Sequence, residues 1–141
     1  MNKFAIGAFL LLSTMNTAFA EPVVVIVNSA NTQSLSASDV KNIYTDRSIA
    51  WDSGDRIKVY NLPAEEAAAE VFAAKVLGTS ARSAAAAEAN RIVNNTSRNP
   101  QLTKREVLVA SIVSKKPNAI GYVPRGIISG KNGIRILLTL E

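Results

Sequence analysis

The run Val23-Val24-Val25-Ile26-Val27 constrains the fold more than any other stretch of this chain. Its β-branched residues show no polar alternation, so a strand built from them must be covered on both faces. That places it in the middle of a sheet flanked by helices, as in parallel-sheet proteins. The segments that follow keep switching period. A polar loop, Asn28 to Gln33, leads to Ser36-Ala37-Ser38-Asp39, an N-cap with an acid three residues on, and then to Val40, Ile43 and Tyr44 at helical spacing. A turn at 50–55 carries Trp51 as an apolar anchor, and Arg56 to Tyr60 reads as a second strand.

Asn61-Leu62-Pro63 has the chemistry of a helix start, and the spacing predicts a helix over 64–77, with Ala68, Phe72 and Val76 on one face and Gly78 as its stop. Thr79 or Ser80 would cap an Ala-rich helix reaching about Val93. A polar loop over 94–101 precedes Thr103-x-x-Glu106, which reads as a capping box for a helix through Val113. Ala119 to Val123 and Ile134 to Leu140 are the last strands. The order β-α-β-α-α-α-β-β predicts an α/β protein with a mainly parallel sheet covered by helices and room for an antiparallel strand at its edge.

The first twenty residues read as an address. Lys3 gives a positive start, Phe4 to Leu12 an apolar run too short to span a bilayer, and Ala18-Phe19-Ala20 a cleavage site before Glu21. No Cys follows that run, so lipid attachment is not expected. A signal peptide at 1–20, a domain at 21–141 and a periplasmic location are the expectation. With Lys3 removed, fifteen basic residues face eleven acidic ones, the balance of a soluble basic domain.

The chain has no His and no Cys, which removes the commonest general base, the commonest transition-metal ligand and any disulfide. No nucleophile has an evident base, so no enzyme, no cofactor and no metal are expected. Glu65, Glu66 and Glu70 read as a solvated helix face, Tyr44, Trp51 and Tyr122 as packing, and Lys115-Lys116 as a helix end. Nucleic-acid binding would need a larger basic patch with aromatics, and stable membrane insertion is not expected after signal cleavage.

Four ordered segments carry a resemblance. They are the first strand with Asn28-Ser29; Leu35-Ser36-Ala37-Ser38-Asp39-Val40-Lys41-Asn42-Ile43-Tyr44 with Trp51 and Ser53-Gly54-Asp55; the strand to Asn61-Leu62-Pro63 with its helix ending Val76-Leu77-Gly78; and Pro117-Asn118-Ala119-Ile120-Gly121-Tyr122-Val123. Together they resemble the phosphate-binding component of bacterial ABC transporters over residues 23–138. The resemblance implies one lobe of a type 2 periplasmic binding protein fold, and with it a substrate-binding protein holding a phosphate-like oxyanion.

Three loops qualify as an anion site on a shared rim beyond the strand ends: Asn28, Ser29, Asn31 and Thr32 after the first strand, Asn61 and the residues to Glu66 after the second, and Thr96, Ser97 and Arg98 in the long polar loop. Phosphate-binding members of the family carry a Ser-containing motif, often Gly-Ser, at the helix start where this chain has Ala64-Glu65-Glu66, and a basic residue near the place of Ala69. Weak oxyanion binding is therefore one expectation. The other is a ligand-free interaction or accessory subunit of a cell-envelope assembly. A single lobe offers an open rim, so the expectation is either a homodimer or an envelope protein partner that completes it, or a monomer whose rim stays open.

Overall fold

The computed structural model describes residues 21–141, and the expected signal peptide lies outside the described residues. Five strands form one sheet in the order β3-β2-β4-β1-β5. They are β1 (Val23–Asn28), β2 (Lys58–Asn61), β3 (Leu102–Thr103), β4 (Ala119–Pro124) and β5 (Ile134–Leu140). The helices are α1 (Ala37–Tyr44), α2 (Ala67–Phe72), α3 (Ala81–Val93) and α4 (Glu106–Lys115). α2 widens into a π-helical turn over Ala73–Leu77, and a 3-10 turn over Arg125–Ile128 joins β4 to β5.

Every residue of β1 is buried, as its composition requires. Its direction differs from the expectation. β2 runs parallel to both β3 and β4, whereas β1 pairs antiparallel with β4 and with β5. Four strands therefore share one direction, and the reversed strand is interior rather than at an edge. A run buried on both faces demands neighbours on both sides, and either pairing mode satisfies that demand.

The two faces of the sheet are built differently. On one, Phe72 stacks on Tyr122 with ring centroids 3.9 Å apart, and Tyr44 meets both rings edge-on. The Tyr44 hydroxyl donates to the Tyr60 carbonyl at 2.6 Å, so this apolar layer leaves no orphaned phenol there. On the other, α4 lies against β4 through Val109 and Val113, directly over Gly121. Trp51 is buried, with 6% of its surface exposed, and its indole N–H donates to the Asn118 carbonyl at 2.9 Å.

The caps test the local chemistry. Ser36 and Asp39 form a reciprocal capping box, Ser80 caps α3 through the Ser83 N–H, and Gly78 ends the π-helical turn in the left-handed conformation. Two expected starts move. Asn61 ends β2 instead of opening a helix, and α2 begins at Ala67 behind Glu66. Thr103 is in β3, paired with Asn61, so the Thr103–Glu106 capping box does not form and Arg105 stands at the start of α4. A strand-pairing partner displaced a local cap in that case.

Candidate functional site

Strand direction divides the site residues between the two ends of the sheet. Asn61 leaves β2 at the end where β4 and β5 also finish, here the upper rim. Because β1 is reversed, Asn28 leaves it at the opposite, lower rim, beside the starts of β4 and β5. The shared rim expected for the three loops is therefore not formed. Thr96, Ser97 and Arg98 also lie toward the lower rim, at its far side. There the Asp46 carboxylate accepts the N–H groups of Arg98 and Asn99 at 2.6 and 2.8 Å, and Arg56 donates to the Arg98 carbonyl at 2.7 Å.

Half of these eight side chains are occupied by the scaffold. Asn28 is buried, donates to the Val113 carbonyl at 2.8 Å and accepts the Ala30 N–H at 2.9 Å. Asn31 accepts the Gln33 N–H at 3.0 Å, and Thr96 donates to the Arg91 carbonyl at 3.3 Å. Asn61 donates to Gln101 at 2.8 Å and accepts from Leu62 N–H and the Tyr122 hydroxyl. Ser29 and Thr32 are exposed, and the shielded Ser97 hydroxyl has no hydrogen-bond partner.

The upper rim is where α2 and α4 begin, and both starts carry carboxylates. Glu66 is the N-cap of α2 and makes no side-chain capping bond, while Glu106 lies in the first turn of α4. One Glu66 carboxylate oxygen is shielded from water without a hydrogen-bond partner. Burial pushes the Glu66 carboxyl above its ordinary value, the Glu106 and Glu65 charges push it the same way, and Arg105 opposes them. Burial also raises the neighbouring Tyr122 hydroxyl, against the lowering effect of its bond from Leu62 N–H. Peptide N–H groups at helix starts are an anion's natural partners. Here the protein's own negative charge stands at that place.

The same rim exposes apolar surface. Leu102, Val107 and Leu108, the last two 57% and 52% exposed, lie within the seven residues that turn from β3 into α4. Thr103, Lys104, Arg105 and Glu106 complete this turn, and sequence reasoning did not read them as site residues. Thr103-x-x-Glu106 marked a helix start there, but nothing local shows that β3 carries this start to the side of Glu66.

At the lower rim, Asn31 and Thr32 join Gln33, Trp51, Asp52, Ser53, Asp55 and Asn118 around an open cleft of about 390 Å³. Its acids and amides are the wrong chemistry for an oxyanion. Among the described residues, no group of three or more acids is placed to hold a metal ion, and no helix is long and apolar enough to cross a membrane.

No family model matches the chain, and no characterised relative matches it by sequence. Solved structures do match. An ABC-type phosphate transport receptor from Vibrio cholerae aligns with a TM-score of 0.62 at 15% identity, covering 83% of this chain and 45% of its own. PstS from Borrelia burgdorferi gives 0.63 at 14% identity, covering 83% and 46%. The fold is that of one lobe of a phosphate ABC transporter substrate-binding protein. A third such protein, from Clostridium perfringens and solved with bound phosphate, gives 0.59 at 17% identity and covers 83% and 44%. The chain thus spans less than half the length of the structures it matches. Identities this low establish the lobe's architecture, and the chemistry of its rim has to be argued from its own residues.

Proposed function

We propose that this chain is an exported solute-binding lobe of the phosphate type, which meets a phosphate-like oxyanion only weakly and works against a second protein surface. The fold likeness supports the binding-protein reading, and the first twenty residues support export to the periplasm. The observation that carries the weak affinity is Glu66. Its shielded carboxylate stands at the start of α2 with Glu106 and Glu65 beside it. An arriving dianion would face like charge at the helix end that should attract it.

A ligand-free accessory subunit of an envelope assembly is the second reading. The exposed Leu102, Val107 and Leu108 beside the same rim favour it. In both readings the open lobe is completed by another chain, an envelope protein or a second copy.

Calorimetry with orthophosphate at low ionic strength tests the proposal. The natural chain is expected to bind weakly or not at all. Glu65→Gly with Glu66→Ser is expected to tighten binding at least about tenfold, or about 1.4 kcal/mol. A natural-chain Kd in the low micromolar range, about −8 kcal/mol, would refute the assignment of Glu66 as the obstacle. If neither protein binds and the chain is strictly monomeric by light scattering, the accessory reading gains and the partner is another protein.

A further inference from the structure

The lower-rim cleft lies at the opposite end of the sheet from Glu66 and has a chemistry of its own. Three loops wall it: 28–33, 50–55 and 117–118. They are tied to one another and to the sheet by hydrogen bonds. Trp51 Nε1 donates to the Asn118 carbonyl at 2.9 Å, and Asp52 N–H donates to Gln33 Oε1 at 2.9 Å. Arg135 donates to the carbonyls of Asn31 and Gln33 at 2.8 and 2.7 Å, fixing the first loop from β5. The cleft is thus held in shape before any ligand arrives, which lowers the ordering cost of binding.

Its wall contains two carboxylates and no Lys or Arg. Among the described residues, the Asp52 carboxylate makes no hydrogen bond or ion pair, and the Asp55 carboxylate accepts only the Ser53 hydroxyl, at 3.2 Å. Two nearby guanidinium groups are committed elsewhere: Arg56 to the Arg98 carbonyl, and Arg135 to the backbone of 31–33. Lys115 and Lys116 are exposed at the end of α4 and do not wall the cleft. This is a concave, acceptor-rich surface on a chain whose basic residues outnumber its acidic ones.

We propose that this cleft binds a cationic group, an alkylammonium or guanidinium, carried by a small amine or by a basic side chain of a peptide. Carboxylate and amide oxygens are the acceptors that such donor-only groups require. A concave wall of one sign concentrates the opposite charge more than a flat surface would. The assignment does not depend on what happens at Glu66.

Trp51 is the only tryptophan of the chain and forms part of the wall, so its emission reports occupancy. The experiment is a fluorescence titration paired with calorimetry, so that a silent indole is not mistaken for an empty cleft. The probes are putrescine, arginine methyl ester and a trilysine peptide, with glucose and orthophosphate as neutral and anionic counterparts. Saturable binding of at least one cationic probe is expected, with a midpoint of about 1 mM at low salt and a several-fold loss at about 0.5 M salt. Asp52→Asn with Asp55→Asn, two exposed positions, is expected to weaken it at least about tenfold while leaving the melting temperature unchanged. Preference for the free amines identifies a small-molecule site, and preference for trilysine identifies a docking site for a basic segment. No binding of any cationic probe, equal binding of glucose, or binding that survives the double substitution would overturn the proposal.

Discussion

Gly121→Ala tests the packing of the sheet against α4 at a single atom. Gly121 lies in β4, opposite Ile26 of β1, with its α-carbon turned to the helix. A Cβ added there would sit 2.5 Å from Val109 Cγ1, while Val113 Cγ2 at 3.6 Å and Tyr60 Cβ at 3.7 Å remain ordinary contacts. Carbon pairs prefer about 3.5–4.0 Å, so one contact is short by at least an ångström or so. Val109 cannot turn away cheaply. It is fully buried, and a valine in a helix is largely confined to one rotamer. α4 must move instead. Overpacking of this kind costs about 1–3 kcal/mol, and removing a strand glycine returns about 0.5–1 kcal/mol. The expected net loss is about 1–2 kcal/mol. For a domain of this length that lowers the melting temperature by about 4–8 °C. The assay is urea and thermal unfolding followed by Trp51 emission and circular dichroism. Adding Val109→Ala to Gly121→Ala removes the clashing methyl, so the two substitutions should be non-additive by about 1–2 kcal/mol. A Gly121→Ala variant as stable as the natural chain, or strict additivity, would refute the contact.

Asp46→Ala should lower the urea midpoint by the equivalent of about 2–3 kcal/mol, because a buried carboxylate that accepts the Arg98 and Asn99 N–H groups is lost. Asp46→Asn keeps one acceptor oxygen and should fall between, and an unchanged midpoint in Asp46→Ala would show that the 94–101 loop is held by other means. Glu66 gives a pH signature. Its carboxyl is raised above the ordinary 4.5 in the folded chain, so the folded state binds that proton more tightly than the unfolded state does. The associated stability is present below the ordinary value and is lost as pH rises through the raised one. Glu66→Gln should therefore melt higher than the natural chain at pH 7, with the difference closing as pH falls toward 4. A difference that is independent of pH would mean that Glu66 is not desolvated at the rim.

Most of the elements, and the closures whose partners are local, were legible in the sequence. Val23 to Val27 had to be a strand covered on both faces, because five adjacent apolar β-branched residues have no other low-cost environment. Ser36 with Asp39, Ser80 and Gly78 act within four residues of themselves, and each cap formed as its chemistry requires. The ordered segments from Asn28-Ser29 to the strand at 119–123 likewise pointed to one lobe of a phosphate-type binding fold, and the solved structures share that architecture. Tertiary structure decided what is non-local. A strand buried on both faces looks the same in either direction, so only its pairing with β4 and β5 reversed β1 and sent Asn28 to Thr32 to the end of the sheet away from Asn61. Thr103 had a good local partner in Glu106, but backbone pairing with Asn61 claimed it for β3. The same strand carried Arg105 and Glu106 to the rim beside Glu66. The candidate residues were legible as polar loops. Which of them face a common space depends on strand direction and loop docking, which are set by hydrogen bonds between segments distant in sequence, such as Arg135 to Asn31, 104 residues apart.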